Sequence, residues 1–336
     1  MIDTAPAILS RAKDLVDPAL ADALARLHPG LRRVAEYHFG WIDTEGHQTN
    51  RGGKGVRPAL TILSAEAVGA PAATGVPGGV ALELVHNYSL LHDDVMDGDR
   101  ERRSRPTVWA LYGVPEAILV GDALAELAHQ VLLEQPGNSG TAAAHHLADA
   151  VAEMIAGQAD DMAFESEVEV SVDACLTMAA AKTGALLSCS AAIGAVLAGG
   201  EPAAVDALAR YGDHVGLAFQ AIDDLLGIWG SPAVTGKPVG SDVASRKKTI
   251  PISYAMAEGG PSADELRALF GRADLDADDV KRAIEVIEST GGREATEALA
   301  REHLAAALEA LRGSPLEPTA VAELVELAEF VCDRER

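Results

Sequence analysis

Aromatic residues are scarce. Tryptophan, tyrosine and phenylalanine make up 4% of a chain that is 48% hydrophobic. A core must therefore be built mainly from alanine, leucine and valine. With so few strand-favouring aromatics, that composition points to helices rather than sheets. Cysteine is scarcer still. Cys175, Cys189 and Cys332 are an odd set of three with no CxxC spacing. That excludes a disulfide framework and leads us to expect reduced thiols in a cytoplasmic protein. Basic residues are outnumbered, with 27 Lys and Arg against 51 Asp and Glu, a formal net charge of −24. Such a chain has no electrostatic footprint for nucleic acid and is repelled by an anionic membrane. Long apolar runs are missing as well. The longest, near 189–200, is interrupted by glycine and too short to span a bilayer, so no stable membrane insertion is expected. The N-terminus lacks the basic start and apolar core of a secretory signal.

What is present is helical spacing along most of the chain. Apolar positions recur three to four apart over 7–28, where Pro18 and Pro29 are expected to punctuate, and over 31–42. The polar, glycine-rich stretch 43–55 reads as a loop. Further helices are expected at 57–69, 77–97, 114–135, 139–165, 171–199 and 201–229, with Pro136 and Gly137 as one clear turn. Residues 230–249 are rich in glycine, proline and serine and read as a loop of the kind that closes over a substrate. From Pro251 onward the chain is helical again. No linker divides it, so one all-α domain over 1–336 is expected.

The chemistry concentrates at 86–109, HNYSLLHDDVMDGDRERRSRPTVW. Asp93 and Asp97 stack one helical turn apart, with Asp94 beside them. Carboxylates this close repel one another unless a cation neutralises them. An oxygen-only ligand set suits a hard ion such as Mg²⁺, which completes its shell with water and phosphate. The arginines just beyond, Arg102 and Arg103 among them, match phosphate oxygens with their forked donors. A second acidic pair, Asp223 and Asp224, sits in the apolar stretch GLAFQAIDDLLGIWG, 130 residues after Asp93. Burying unpartnered carboxylates is costly. Two such pairs are best explained if they face one another across a cavity. The negative net charge does not oppose an anionic substrate, because metal and arginine reverse the sign locally.

These pieces resemble the trans-isoprenyl diphosphate synthases, the head-to-tail polyprenyl synthetases. GGKGVRP at 52–58, the 86–109 segment, GDAL at 121–124, KTGALL at 182–187, FQAIDDLLG at 219–227 and GKPVGSDVASRKKTIP at 236–251 follow in the family's order. The resemblance implies a helical bundle around a central cavity, with Mg²⁺ on Asp93, Asp97 and Asp223, three ions per site once substrate is bound. It implies isopentenyl diphosphate on Lys54, Arg57, His86 and Arg103. An allylic diphosphate is expected on Arg102, Lys182, Thr183, Gln220, Lys237 and Lys247, in a homodimer. Product length would be set by Tyr88 and Ser89, five and four residues before Asp93, with a C20 product suggested and C15 close. Two departures stand out. Gly55 replaces the family's usual basic residue, so one phosphate contact is missing or supplied elsewhere. Gly227 replaces the last aspartate of the second motif, so the helix there is expected to loosen or end early. A class I terpene cyclase would need an Asn/Ser/Glu metal triad that DDLLGIWGS does not supply. A non-catalytic subunit of a heteromeric synthase is the other reading of the lost motif residues.

Overall fold

A computed structural model describes residues 6–49, 53–232, 238–272 and 274–332, and it is 76% helical and 2% strand. Helix α1 (Ala7–Leu24) runs straight through Pro18. Proline there forfeits one backbone hydrogen bond. Burial of Ile8, Leu9, Ala12, Val16, Leu20 and Leu24 outweighs that loss. α2 (Pro29–His38) starts on its proline, whose fixed φ suits the first helical position. α3 (Val56–Ala67) and α4 (Val76–Met96) follow. A two-stranded hairpin, β1 (Glu101–Arg102) with β2 (Arg105–Pro106), interrupts the otherwise helical chain. Its turn uses Arg103 and Ser104 at φ of 52° and 56°. That is the left-handed pair a two-residue hairpin demands, held here by non-glycine residues at a cost of roughly 1–2 kcal/mol each.

α5 (Val108–Tyr112), α6 (Val114–Leu133) and α7 (Ser139–Phe164) come next. The long apolar helix expected over 171–199 is broken locally. α8 (Val172–Ala179) and α9 (Ala185–Leu197) are joined through a π-helical turn, Ala180–Gly184. Val172–Leu197 is the one candidate among the described residues long and apolar enough to cross a membrane, and 67% of its most apolar window is buried inside the protein. α10 (Pro202–Trp229) does not end at Gly227, contrary to expectation. α11 (Ser241–Ala244) lies in the expected loop, followed by α12 (Ile250–Ala257), α13 (Gly260–Phe270), α14 (Ala277–Ser289), α15 (Gly292–Leu311) and α16 (Pro318–Cys332).

The chain divides into two units, each woven from three stretches: Met1–Asp149, Cys189–Ala209 and Gly313–Leu327, and Ala150–Ser188, Arg210–Arg312 and Ala328–Arg336. The first is cored by leucine, with Leu60, Leu63, Leu82, Leu84, Leu124 and Leu132 fully buried. The second packs Ile228, Val243, Ile252, Met256, Leu266, Phe270 and Ile287 together. Only Phe270 in that cluster is aromatic, as the composition required.

Candidate active site

In the first unit α4 carries the acidic motif. Asp93 and Asp97 stand one turn apart, joined by the Asp97 N–H donating to the Asp93 carbonyl at 2.8 Å. Asp93 is half-buried and Asp97, the C-cap, is exposed. Asp94 does not join them. Neighbours on a helix point about 100° apart, and Asp94 turns inward to 2% exposure. Its Oδ1 accepts from Arg102 Nε at 2.7 Å, while Oδ2 is buried without a partner among the described residues. Burial outweighs the guanidinium and pushes the Asp94 carboxyl up. Asp94 therefore anchors the hairpin that presents Arg102 and Arg103.

A cleft beside this pair is lined by Tyr37, His38, Asp94, Arg102, Arg103 and Arg105. Arg105 stacks over the Tyr37 ring at 4.1 Å and donates to the Ile42 carbonyl at 3.0 Å. His38 Nε2 is buried with no partner among the described residues. Burial, then Arg102, Arg103 and Arg105, pull the His38 pKa down to about 3. Burial and Arg57, Arg103 and Arg102 likewise hold His86 well below its ordinary value. Glu83, one turn before, is pushed up by burial although Arg57, Arg103 and Lys13 oppose it. His86 is therefore held neutral.

Two neutral buried histidines have a consequence for stability. Both titrate near pH 6.5 when unfolded and lower when folded, so below that pH the unfolded chain binds more protons. The contribution of these two histidines is complete above about pH 6.5 and falls as acid is added. His38→Gln should flatten that fall by about 1.4 kcal/mol per pH unit between about pH 6 and 4. Urea unfolding at stepped pH measures it, and an unaltered slope would show that His38 is not the group responsible.

Tyr88 meets His92 edge-on, with ring centroids 4.9 Å apart and planes at 75°. His92 Nε2 reaches the Ile118 carbonyl on α6 at 3.2 Å, over Gly121, where any Cβ would collide with the imidazole. The Tyr88 ring thus has a fixed backing. Ser89 Oγ only bonds back to the His86 carbonyl at 2.9 Å.

In the second unit Lys182 sits on the π turn and pairs with Asp161 of α7. Gly157 makes room for this, since a Cβ there would strike the Lys182 backbone. π bulges of this kind often mark functional positions. Thr183 Oγ1 donates to Gln220 Oε1 at 2.7 Å, and Gln220 Nε2 donates to Asp224 Oδ1 at 2.7 Å. The Ile250 N–H donates to Asp224 Oδ2 at 2.8 Å. Both Asp224 oxygens are thus engaged in tying α10 to the π turn and to α12. Burial pushes its carboxyl to about 7. Asp223 is half-buried on the neighbouring face. Lys247 is exposed, whereas Lys248 is buried, donating to the Arg246 carbonyl at 2.9 Å with its ammonium over the Phe270 ring. Lys237 lies outside the described residues.

Gly227 has a specific neighbour. The space that a Cβ at 227 would take is filled by the Asp242 carboxylate of α11. Ser241 Oγ donates to the Gly227 carbonyl at 3.2 Å and holds that helix in place. A carboxylate is therefore present where the second motif lacks one, supplied from another element. Asp93 with Asp97, one turn apart on α4, gives an all-oxygen donor pair that fits a hard divalent ion, and Asp223 lies one turn before the Gly227 that Asp242 covers. The buried amide atoms of half-buried Gln158, on the same helix as Asp161, find no hydrogen-bond partner among the described residues. An exposed trio elsewhere, Asp43, Glu45 and His47, is explained by its own turn, because Asp43 Oδ1 accepts from the Glu45 and His47 N–H groups at 2.9 Å.

The model of the polyprenyl synthetase family matches residues 41–287. The chain belongs to the polyprenyl synthetase family. It is a prenyltransferase, with farnesyl and geranylgeranyl diphosphate synthases among its relatives. The (2E,6E)-farnesyl diphosphate synthase of Mycobacterium tuberculosis is 45% identical over 98% of this chain and 93% of its own. The geranylgeranyl diphosphate synthase of the same organism is 41% identical over 99% and 95%. The crystal structure of a polyprenyl synthetase from Streptomyces coelicolor A3(2) superposes with a TM-score of 0.92 at 47% identity, covering 97% of this chain and 98% of that one. The polyprenyl synthetase fold expected from the motifs is present. Sequence reasoning missed Lys13 and His38, which lie outside every motif, and gave no role to Asp242, although it lies within GKPVGSDVASRKKTIP.

Proposed function

We propose that this prenyltransferase joins isopentenyl diphosphate head-to-tail to an allylic diphosphate, with Mg²⁺, to give a C15 or C20 prenyl diphosphate. The observation that carries the reading is the pairing of Asp93 and Asp97 on one face of α4 with the Arg102–Asp94 anchor beside it. Asp93 and Asp97 of the first unit, and Asp223 with Asp242 in support in the second, are each metal-ligand candidates for the three ions of the loaded enzyme. Bound Mg²⁺ would neutralise charge on the departing diphosphate as a Lewis acid.

The chain's own groups do the rest. Arg102, Lys182, Thr183, Gln220, Lys237 and Lys247 orient the allylic diphosphate, and the arginine and lysines offset its growing charge. The allylic C–O bond breaks, leaving a carbocation. Lys54, Arg57, neutral His86 and Arg103 hold isopentenyl diphosphate so that its double bond supplies the electrons of the new C–C bond. The proton then lost from the adduct passes to the released diphosphate. Cys175 and Cys189 are buried, with thiols pushed up by burial, and take no part.

Tyr88 lies about 7 Å along α4 from Asp93. Backed by His92, it forms a rigid floor beneath the growing tail, which suits a short product. C15 is supported by the farnesyl synthase relative and C20 by the aromatic at this place with small Ser89 beside it. We take the enzyme as one cytoplasmic catalytic domain and a homodimer. The exposed Leu111, Val114 and Leu119 of α5 and α6 offer an apolar face for a second copy.

The test is turnover of purified protein with Mg²⁺, isopentenyl diphosphate and dimethylallyl, geranyl or farnesyl diphosphate, with products sized after dephosphorylation. A C15 or C20 alcohol supports the reading, and a hydrocarbon from farnesyl diphosphate alone would replace it with cyclase activity. Tyr88→Ala should lengthen the main product by at least one five-carbon unit. Unchanged length would remove Tyr88 as the floor.

A further inference from the structure

The family's usual basic residue is missing at position 55, and the structure shows what stands in its place. Gly55 is the N-cap of α3, at φ 75°. The unbranched stem of Lys13, from α1, lies across it. A Cβ on residue 55 would come within 2.9 Å of Lys13 Cγ and 3.4 Å of Cδ. The Lys13 ammonium continues past Gly55 and donates to the Gly53 carbonyl at 3.3 Å. The Arg103 guanidinium approaches the same Gly53 from the other side, with Nη2 3.6 Å from where its Cβ would be. Half-buried Glu83 lies within electrostatic reach of Arg57, Arg103 and Lys13, which together oppose the rise that burial imposes on its carboxyl.

We propose that Lys13 is a substrate-binding residue for the diphosphate of isopentenyl diphosphate, delivering from α1 the positive charge that position 55 lacks. This rests on the assignment of Lys54, Arg57, His86 and Arg103 to that substrate. His86 is neutral, so the site depends on lysine and arginine for its charge. A trianionic or dianionic diphosphate at the Gly53–Gly55 loop would draw the Lys13 ammonium from the Gly53 carbonyl, a neutral acceptor, to a charged one, which makes the stronger hydrogen bond. The glycine at 55 is then a requirement of the lysine. A side chain there would displace the Lys13 stem, and its left-handed backbone already disfavours any other residue.

A plain structural tether is the competing account, and the kinetics separate the two. Lys13→Met keeps the stem over Gly55 and removes only the charge. Its KM for isopentenyl diphosphate should rise about tenfold to a hundredfold, the worth of one charge-assisted hydrogen bond. Its kcat, its KM for the allylic diphosphate and its melting temperature should stay close to those of the parent. Lys13→Arg should bind nearly as the parent does. An unchanged isopentenyl KM in Lys13→Met, or an equal rise for both substrates, would overturn the proposal. Arg57→Met run alongside tests the assignment itself. If Arg57→Met raises the isopentenyl KM and Lys13→Met does not, Lys13 alone is wrong. If neither raises it, the loop does not bind this substrate and the proposal falls with that assignment.

Discussion

Asp93→Asn should lower turnover about a thousandfold while leaving the fold intact. Asparagine keeps the size and one oxygen of the carboxylate but not its charge. Asp93 is half-buried on the same face as Asp97, so a metal held there loses one of two anionic ligands. Metal stabilisation of a departing oxygen is worth several kcal/mol, and about 4 kcal/mol corresponds to three orders of magnitude in rate. Steady-state kinetics with Mg²⁺ titrated at each substrate level measures it. The neighbouring Asp94→Asn is the contrast. It removes the partner of Arg102 inside the protein, so it should lower the melting temperature more than the metal affinity. Near-parental turnover in Asp93→Asn, or equal Mg²⁺ defects in the two variants, would remove Asp93 from the metal site.

That contrast marks where a linear reading of motifs stops. The spacing of Asp93 and Asp97 was legible because a 3.6-residue period places i and i+4 together. Counting three carboxylates as one cluster ignored that i and i+1 diverge, and Asp94 serves the hairpin instead. The hairpin itself had no signal in the chain. ERRSRP contains neither glycine nor asparagine at its turn, and the left-handed Arg103 and Ser104 are held there by their surroundings. α1 passed through Pro18 because local propensity is weaker than a buried apolar stripe. Lys182 was readable as an odd lysine in an apolar run. Its π turn was not, because the cause lies on another helix, at Gly157. Asp224 was read as half of a motif, but its oxygens are spent on Gln220 and the Ile250 backbone. What resisted reading throughout was any group whose role depends on a partner distant in sequence, such as Lys13 with Gly55 or His38 with the hairpin arginines.

Gly227 is the same kind of case, and it leads to the second large expected effect. Read alone, Gly227 is a lost ligand and a weak helix residue. In the fold it is the opening through which Asp242 reaches α10, one turn beyond Asp223. Asp242→Ala should therefore weaken Mg²⁺ binding in the presence of a diphosphate about tenfold to a hundredfold, the usual cost of losing a supporting ligand. Gly227→Asp in the parent should not help. Its side chain must displace the Asp242 carboxylate, and two unneutralised carboxylates in one place repel. Gly227→Asp combined with Asp242→Ala moves the charge back to the motif and should recover much of the affinity. Calorimetric titration of Mg²⁺ with inorganic diphosphate reads binding without requiring turnover. If Gly227→Asp alone tightens Mg²⁺ binding, position 227 is a true gap and Asp242 does not fill it. If Asp242→Ala binds as the parent does, the carboxylate above Gly227 serves only to hold α11. The swap decides between a decayed motif and one whose last ligand has moved to another helix.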